Sequence, residues 1–125
     1  MSRTDDNLQS EMRASFDFFR DAVSTHPDGF GLTRDRAPRY PDFFSIAATG
    51  FGLAAHALAV ECGWQTRAAA KKRCVKTLET FLHLDNYRGF FRHFYHADGR
   101  PYPFEYSTID TAIFLCGARV AGHYF

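Results

Sequence analysis

The sequence predicts an all-α fold in which helical hairpins stand side by side in a ring. Three observations carry that expectation. Four segments place apolar residues at helical spacing. Along the chain these segments alternate between amphipathic and apolar all round. Each apolar segment follows a long connection rich in glycine, proline and aromatic residues. In a ring of hairpins the outer helix of each pair needs only one apolar face. The inner helix is covered by neighbours and by the ring interior, so it is apolar on most sides. A simple four-helix bundle would make all four helices amphipathic.

The first helix is expected over residues 5–24, where Leu8, Met12, Phe16, Phe19 and Val23 recur at helical spacing against a polar far side. His26-Pro27-Asp28-Gly29 ends it with turn chemistry. The second is expected over residues 45–62, closed by Gly63. Between Ile46 and Val60 its polar side chains are Thr49 and His56, and its many Ala and Gly residues let a neighbouring helix come close. The third opens at Thr66, a good N-cap, and runs to about Leu84, with Cys74, Val75, Leu78, Phe81 and Leu82 as its apolar stripe. The fourth opens at Ser107 and runs to the chain end, with Arg119 its one Lys, Arg, Asp or Glu after Asp110.

The two connections ahead of the apolar helices cover residues 30–44 and 89–106. The second holds Ala97-Asp98-Gly99-Arg100 between aromatic runs, which predicts a short β-hairpin before the fourth helix. Both connections should lie at one end of the helix pairs, where long structured loops commonly carry function. The sequence ends at His123-Tyr124-Phe125, inside an apolar helix without a cap. Two hairpins would also leave apolar helix faces open. Both features create an expectation of a truncated domain, or of self-association through the exposed apolar helices.

Composition narrows the function. Of 125 residues, 46% are hydrophobic, 23% charged and 17% aromatic, with 14 Phe. A formal net charge of +1 gives no electrostatic footprint for nucleic acid. No stretch of about 18 apolar residues suggests a membrane span. Cys62, Cys74 and Cys116 match no zinc or disulfide pattern, and no cofactor motif is present. The polar Met1–Asp6 segment lacks an apolar leader core. Without a leader the chain would be cytoplasmic; an upstream start carrying one would send it to the periplasm or outside.

Glu105 and Asp110 are the candidate catalytic acids, since two carboxylates at the mouth of a helical ring suit general acid–base work on sugars. Asp110 also completes a capping box with Ser107, and capping alone would account for it. Glu105 precedes the cap, so helix formation does not explain it. Asp35 and Arg36, in Arg34-Asp35-Arg36, either bind substrate or pair within their own loop. Phe91 and Tyr106, with Phe94, Tyr95 and Tyr102, either stack on sugar rings or pack over helix ends. His93 is a further substrate-binding candidate. His93 and His96 are three apart in an extended segment and so face opposite ways, which argues against a shared metal.

Four blocks resemble the glycoamylase-like domain, a family of bacterial endo-β-1,2-glucanases and of a module in cyclic β-1,2-glucan synthases. Phe44-Ser45-Ile46-Ala47-Ala48-Thr49-Gly50-Phe51-Gly52-Leu53-Ala54 is similar to its SIA(S/A)TGFGLAA block. Gly31-Leu32-Thr33-Arg34-Asp35-Arg36 is similar to GLxRDR, and Val60-Glu61-Cys62-Gly63-Trp64 to VERGW. Gly89-Phe90-Phe91-Arg92-His93-Phe94 and Glu105-Tyr106-Ser107-Thr108-Ile109-Asp110-Thr111-Ala112 are similar to GFFYHF and ExSTIDTA. Tyr106 and Arg92 depart from the pattern. The likeness covers residues 16–125. It implies part of an (α/α)6 barrel with a glucan or oligosaccharide cleft at the loop end, and hydrolysis of β-1,2-glucan by paired acids. By position it implies Glu105 and Asp110 as cleft acids, with Asp35 and Arg36 in the first loop. The synthase module and a non-enzymatic helical-repeat interaction module are the alternatives.

Overall fold

The structure is a computed structural model that describes residues 3–125. Met1 and Ser2, which open the polar segment discussed above, lie outside that range. The four expected helices are present: α1 (Arg3–Asp21), α2 (Ile46–Glu61), α3 (Arg67–Phe81) and α4 (Thr108–Tyr124). Ser45, Thr66 and Ser107 cap the last three, each hydroxyl accepting the backbone N–H three residues on. The expected starts are therefore correct to one residue. α1 begins slightly before its expected position and stops at Asp21, because Ala22, Val23 and Ser24 turn to pair with the returning chain: Arg34 N–H donates to Ala22 O, and Ser24 N–H to Leu32 O.

The two apolar helices pack on each other, and this is the most extensive contact in the molecule. Their backbones cross at Gly50 and Gly117. A Cβ on Gly50 would lie 2.6 Å from Phe114 Cα, and one on Gly117 would overlap the Gly50 carbonyl oxygen. α1 packs on α2, while α3 packs on both α2 and α4. This is the inner-and-outer arrangement that the alternating pattern predicts. A core of Leu32, Phe44, Ile46, Leu53, Cys74, Phe81, Leu84, Phe91, Tyr95 and Phe114 lies beneath the loops and between the helices. Phe81 and Phe114 stack with centroids 3.7 Å apart, with Phe91 edge-on to both.

The side of α3 that is buried differs from the expected stripe. Val75 and Leu82 are exposed, whereas Thr77 and Thr80 are buried. The first loop descends onto α3 there: Thr80 Oγ1 donates to Phe30 O at 2.8 Å, and Gly31 (φ 82°) sits against Thr77 with no room for a side chain. Small hydroxyl residues allow that approach and satisfy a loop carbonyl, so burial there does not follow hydrophobicity. The groove along Phe51, Ala54, Ile109, Ala112, Cys116 and Val120 leaves an apolar face of the α2–α4 pair open. None of the described helices is long and apolar enough to cross a membrane.

The loops contain more strand than expected. β1 (Thr33–Arg34), β2 (Phe44–Ser45) and β5 (Phe94–Tyr95) form one antiparallel sheet in the order β1-β2-β5, with Thr33 opposite Ser45 and Phe44 opposite Tyr95. β3 (Asn86–Tyr87) and β4 (Phe90–Phe91) make a separate hairpin around Arg88 (φ 50°) and Gly89 (φ 86°). The hairpin expected at Asp98-Gly99 is present in short form: Tyr95 bridges Pro101, His96 N–H donates to Arg100 O and Tyr102 N–H donates to Phe94 O. Pro101 and Pro103 flank the returning strand, and proline cannot donate to a ladder.

Candidate functional site

β2 is shared by the two loops, so both lie over the same end of the helix pairs, at the starts of α2 and α4. The second loop returns on itself at an Arg92–Tyr106 bridge, with His93 N–H donating to Glu105 O and Ser107 N–H to Phe91 O. That pairing sets His93 beside Glu105, and the first turn of α4 brings Asp110 to its other side. His93 Nδ1 is 3.4 Å from Glu105 Oε1, and His93 Nε2 is 3.5 Å from Asp110 Oδ1. One imidazole thus touches both candidate acids. Its face stacks on Phe94 at 3.9 Å, and Phe94 stacks on Phe43 of the first loop at 4.0 Å.

The two acids differ in environment. Glu105 is open to solvent, with its side chain 68% exposed. Its own backbone N–H and then His93 hold its carboxyl below the ordinary carboxylate value. Asp110 is buried, its side chain 11% exposed, and it accepts a hydrogen bond from the Ser107 hydroxyl. That hydroxyl in turn accepts Asp110 N–H. The order Ser107–Asp110–His93 leaves the serine without a base, so these three do not form a nucleophilic triad, in which histidine stands between serine and acid.

Capping is a weaker explanation for Asp110 once the two helix starts are compared. Ser45 caps α2 in the same geometry, yet Ala48 stands where Asp110 stands in α4. α2 begins cleanly without an acid at that position. The carboxylate of Asp110 is therefore additional to what the cap requires.

The other candidates are placed as follows. Asp35 and Arg36 pair with each other at 2.9 Å, Arg36 lies over Tyr40, and Asp35 N–H donates to Phe43 O. They share the loop end with Glu105 and Asp110 but form a separate pair. Tyr106 donates to Asp85 Oδ2 at 3.0 Å, and the Arg92 guanidinium covers its ring at 3.9 Å, so one ring face is already occupied. Phe91 is in the core against Phe81 and Phe114 and offers no free face to a sugar. It is therefore a packing residue, since the period-2 alternation of β4 turns Phe91 inward and Phe90 outward.

Two clusters carry no signal that the sequence reading could use. Asp42 accepts from His96 Nδ1 and from Ala97 N–H, both at 2.7 Å, and the Tyr102 hydroxyl donates to Asp42 O. Burial works to raise the Asp42 carboxyl, but those two donors outweigh it and leave it lowered. Asp85 accepts from both Arg92 Nε at 3.2 Å and Tyr106. Asp42 meets His96 and Ala97 from 54 and 55 positions away, and Asp85 meets Tyr106 from 21 positions away. A cleft of about 490 Å³ lined by Asp28, Lys76, Glu79, His83 and Asp98 lies beside α3 and includes neither acid. Among the described residues no His, Cys, Asp or Glu cluster is arranged to hold a metal.

Known structures share this fold. A candidate glucoamylase from Bacteroides uniformis aligns at a TM-score of 0.80 and 22% identity, over 98% of this chain and 34% of that one. An endo-β-1,2-glucanase from Chitinophaga pinensis, solved with sophorotriose and glucose, aligns at 0.79 and 17%, over 94% and 30%. A candidate glucoamylase from Bacteroides fragilis aligns at 0.78 and 24%, again over 94% and 30%. The chain thus has the fold of part of a glycoamylase-like (α/α)6 barrel and spans about 30% of the length of such proteins. No protein-family model matches the sequence, and no curated protein matches it by sequence.

Proposed function

We propose that this chain forms part of a glycoside hydrolase acting on β-1,2-glucan, with the loop end of α2 and α4 as one wall of its cleft. The observation that carries the reading is the pairing of His93 with both Glu105 and Asp110 on the loop layer over two apolar helices. Such a layer combines acids with a continuous set of aromatic rings, Phe43, Phe94, Tyr102 and Phe104, suited to sugar faces. The β-1,2-glucanase among the structural neighbours supports the choice of linkage.

The geometry also bears on how the acids would act. A pair that works across a glycosidic bond needs room between its carboxyls, about 6.5–9.5 Å with a water for inversion or about 5–5.5 Å for retention. Between Glu105 and Asp110 that room holds the His93 ring. In the proposed mechanism Glu105, being solvent-facing, meets the sugar, and Asp110 supports it through His93. The opposing acid belongs to the part of the barrel facing this wall.

Calorimetric titration of the chain with sophorotriose tests this. Measurable binding that is lost in Glu105→Gln, with unchanged melting, is the expected result. Equal binding by the wild type and Glu105→Gln, or binding of unrelated glycans with the same affinity, would remove the assignment.

A further inference from the structure

We infer that His93 is a positioning residue: its ring ties Glu105 and Asp110 into one unit and makes no contact of its own with glycan. The inference rests on the cleft reading above for its functional meaning, but its geometry stands apart from it. Both ring nitrogens already face a carboxylate, at 3.4 Å and 3.5 Å. One ring face is covered by Phe94, and the residue's backbone is locked to Glu105 O by the adjoining Arg92–Tyr106 bridge. A side chain so engaged has no polar atom left to offer a hydroxyl.

Protonation decides how many acids the ring can tie. A neutral imidazole has one N–H and can donate to Glu105 or to Asp110, whereas the imidazolium donates to both. The charged groups placed against it are Glu105, from the segment before α4, and Asp110, from α4 itself. Next to it in the chain, between β4 and β5, is Arg92, already paired with Asp85. With either count the ring bridges the two acids, which lie on opposite sides of it.

The test follows the imidazole nitrogen signals of the whole chain by NMR at constant pH. Removing one carboxylate, in Glu105→Gln or Asp110→Asn, should shift the signal of the ring nitrogen that faces it, Nδ1 or Nε2 respectively. His93→Phe keeps the ring stacked on Phe94 but has no donor. It should keep the melting temperature, raise the Glu105 carboxyl titration and weaken sophorotriose binding about tenfold, and His93→Gln should recover part of that binding. His93 ring-nitrogen signals that change in neither carboxylate variant overturn the inference, as does direct contact between sugar and imidazole seen as magnetisation transfer. If the ring signals change as expected while the wild type binds no sugar, the positioning role stands and the glucan assignment fails.

Discussion

The two inner helices begin alike, and the difference between their starts separates scaffold from chemistry. Each is capped by a serine, Ser45 or Ser107, and four residues later each carries a threonine whose hydroxyl accepts a buried strand N–H. Thr49 Oγ1 takes Thr33 N–H at 3.0 Å, and Thr111 Oγ1 takes Phe91 N–H at 3.0 Å. The serine caps the helix and the threonine docks the preceding loop on it. Around that shared frame the two starts diverge. Two residues before the cap stands Phe43 in one case and Glu105 in the other, and three residues after it Ala48 or Asp110. One start presents an aromatic floor, the other two acids. Since the first needs no carboxylate to fold, those of the second are the ones the proposed cleft draws on.

The comparison depends on the seam that holds the two helices together, and breaking the seam should have the largest effect. Gly117→Ala puts a methyl group into the Gly50 carbonyl, where only backbone is available to yield. A loss of about 3 kcal/mol or more is expected, seen in thermal melts as an unfolded or molten chain.

The next effect is confined to α2, the first of the two inner helices. His56 is buried at a position corresponding to Ala118 in α4, with Gln65 donating to its Nδ1. Burial, helped by the nearby Arg73 charge and opposed by Gln65, pushes it down from 6.5 to about 4. As pH falls the unfolded chain therefore takes the proton first. Stability is full above about pH 6.5 and is lost progressively towards pH 4, by on the order of 3 kcal/mol. Urea midpoints at pH 7 and pH 4.5 should differ strongly in the wild type and much less in His56→Gln.

Thr49→Val and Thr111→Val probe what the two starts share. Each leaves a buried N–H without an acceptor and should lose about 1–3 kcal/mol, with similar values for both. A large inequality in denaturant melts would show that the two loops are not docked by the same device. The smallest stability change should come from the acids. Asp110→Ala converts the second start into a copy of the first and should alter stability by less than about 1 kcal/mol, while abolishing any glycan binding. A strong destabilisation would return Asp110 to a capping role.

Much of the scaffold was legible in the chain. The positions of Ser45, Thr66 and Ser107 gave three helix starts, because a cap is a local device that needs a hydroxyl and a nearby N–H. The contrast between amphipathic and apolar helices gave the inner and outer arrangement, since burial on several sides requires apolar residues on several sides. Glu105 and Asp110 could be singled out because the first has no local explanation. Local pattern misled where a partner from elsewhere in the chain determines burial. Thr77 and Thr80 are buried only because the first loop lands on α3, and Phe91 is a core residue only because β4 turns it towards Phe81 and Phe114.

The amino-acid order by itself determined which segments are helices, where they start and which of them must be enclosed, because capping and periodicity act over a few residues. Only the tertiary structure decided that the two loops share a sheet, that Asp42 clasps His96 and that His93 stands between Glu105 and Asp110. Those contacts join residues up to 54 positions apart, and their energies depend on distances that no local spacing in the chain encodes.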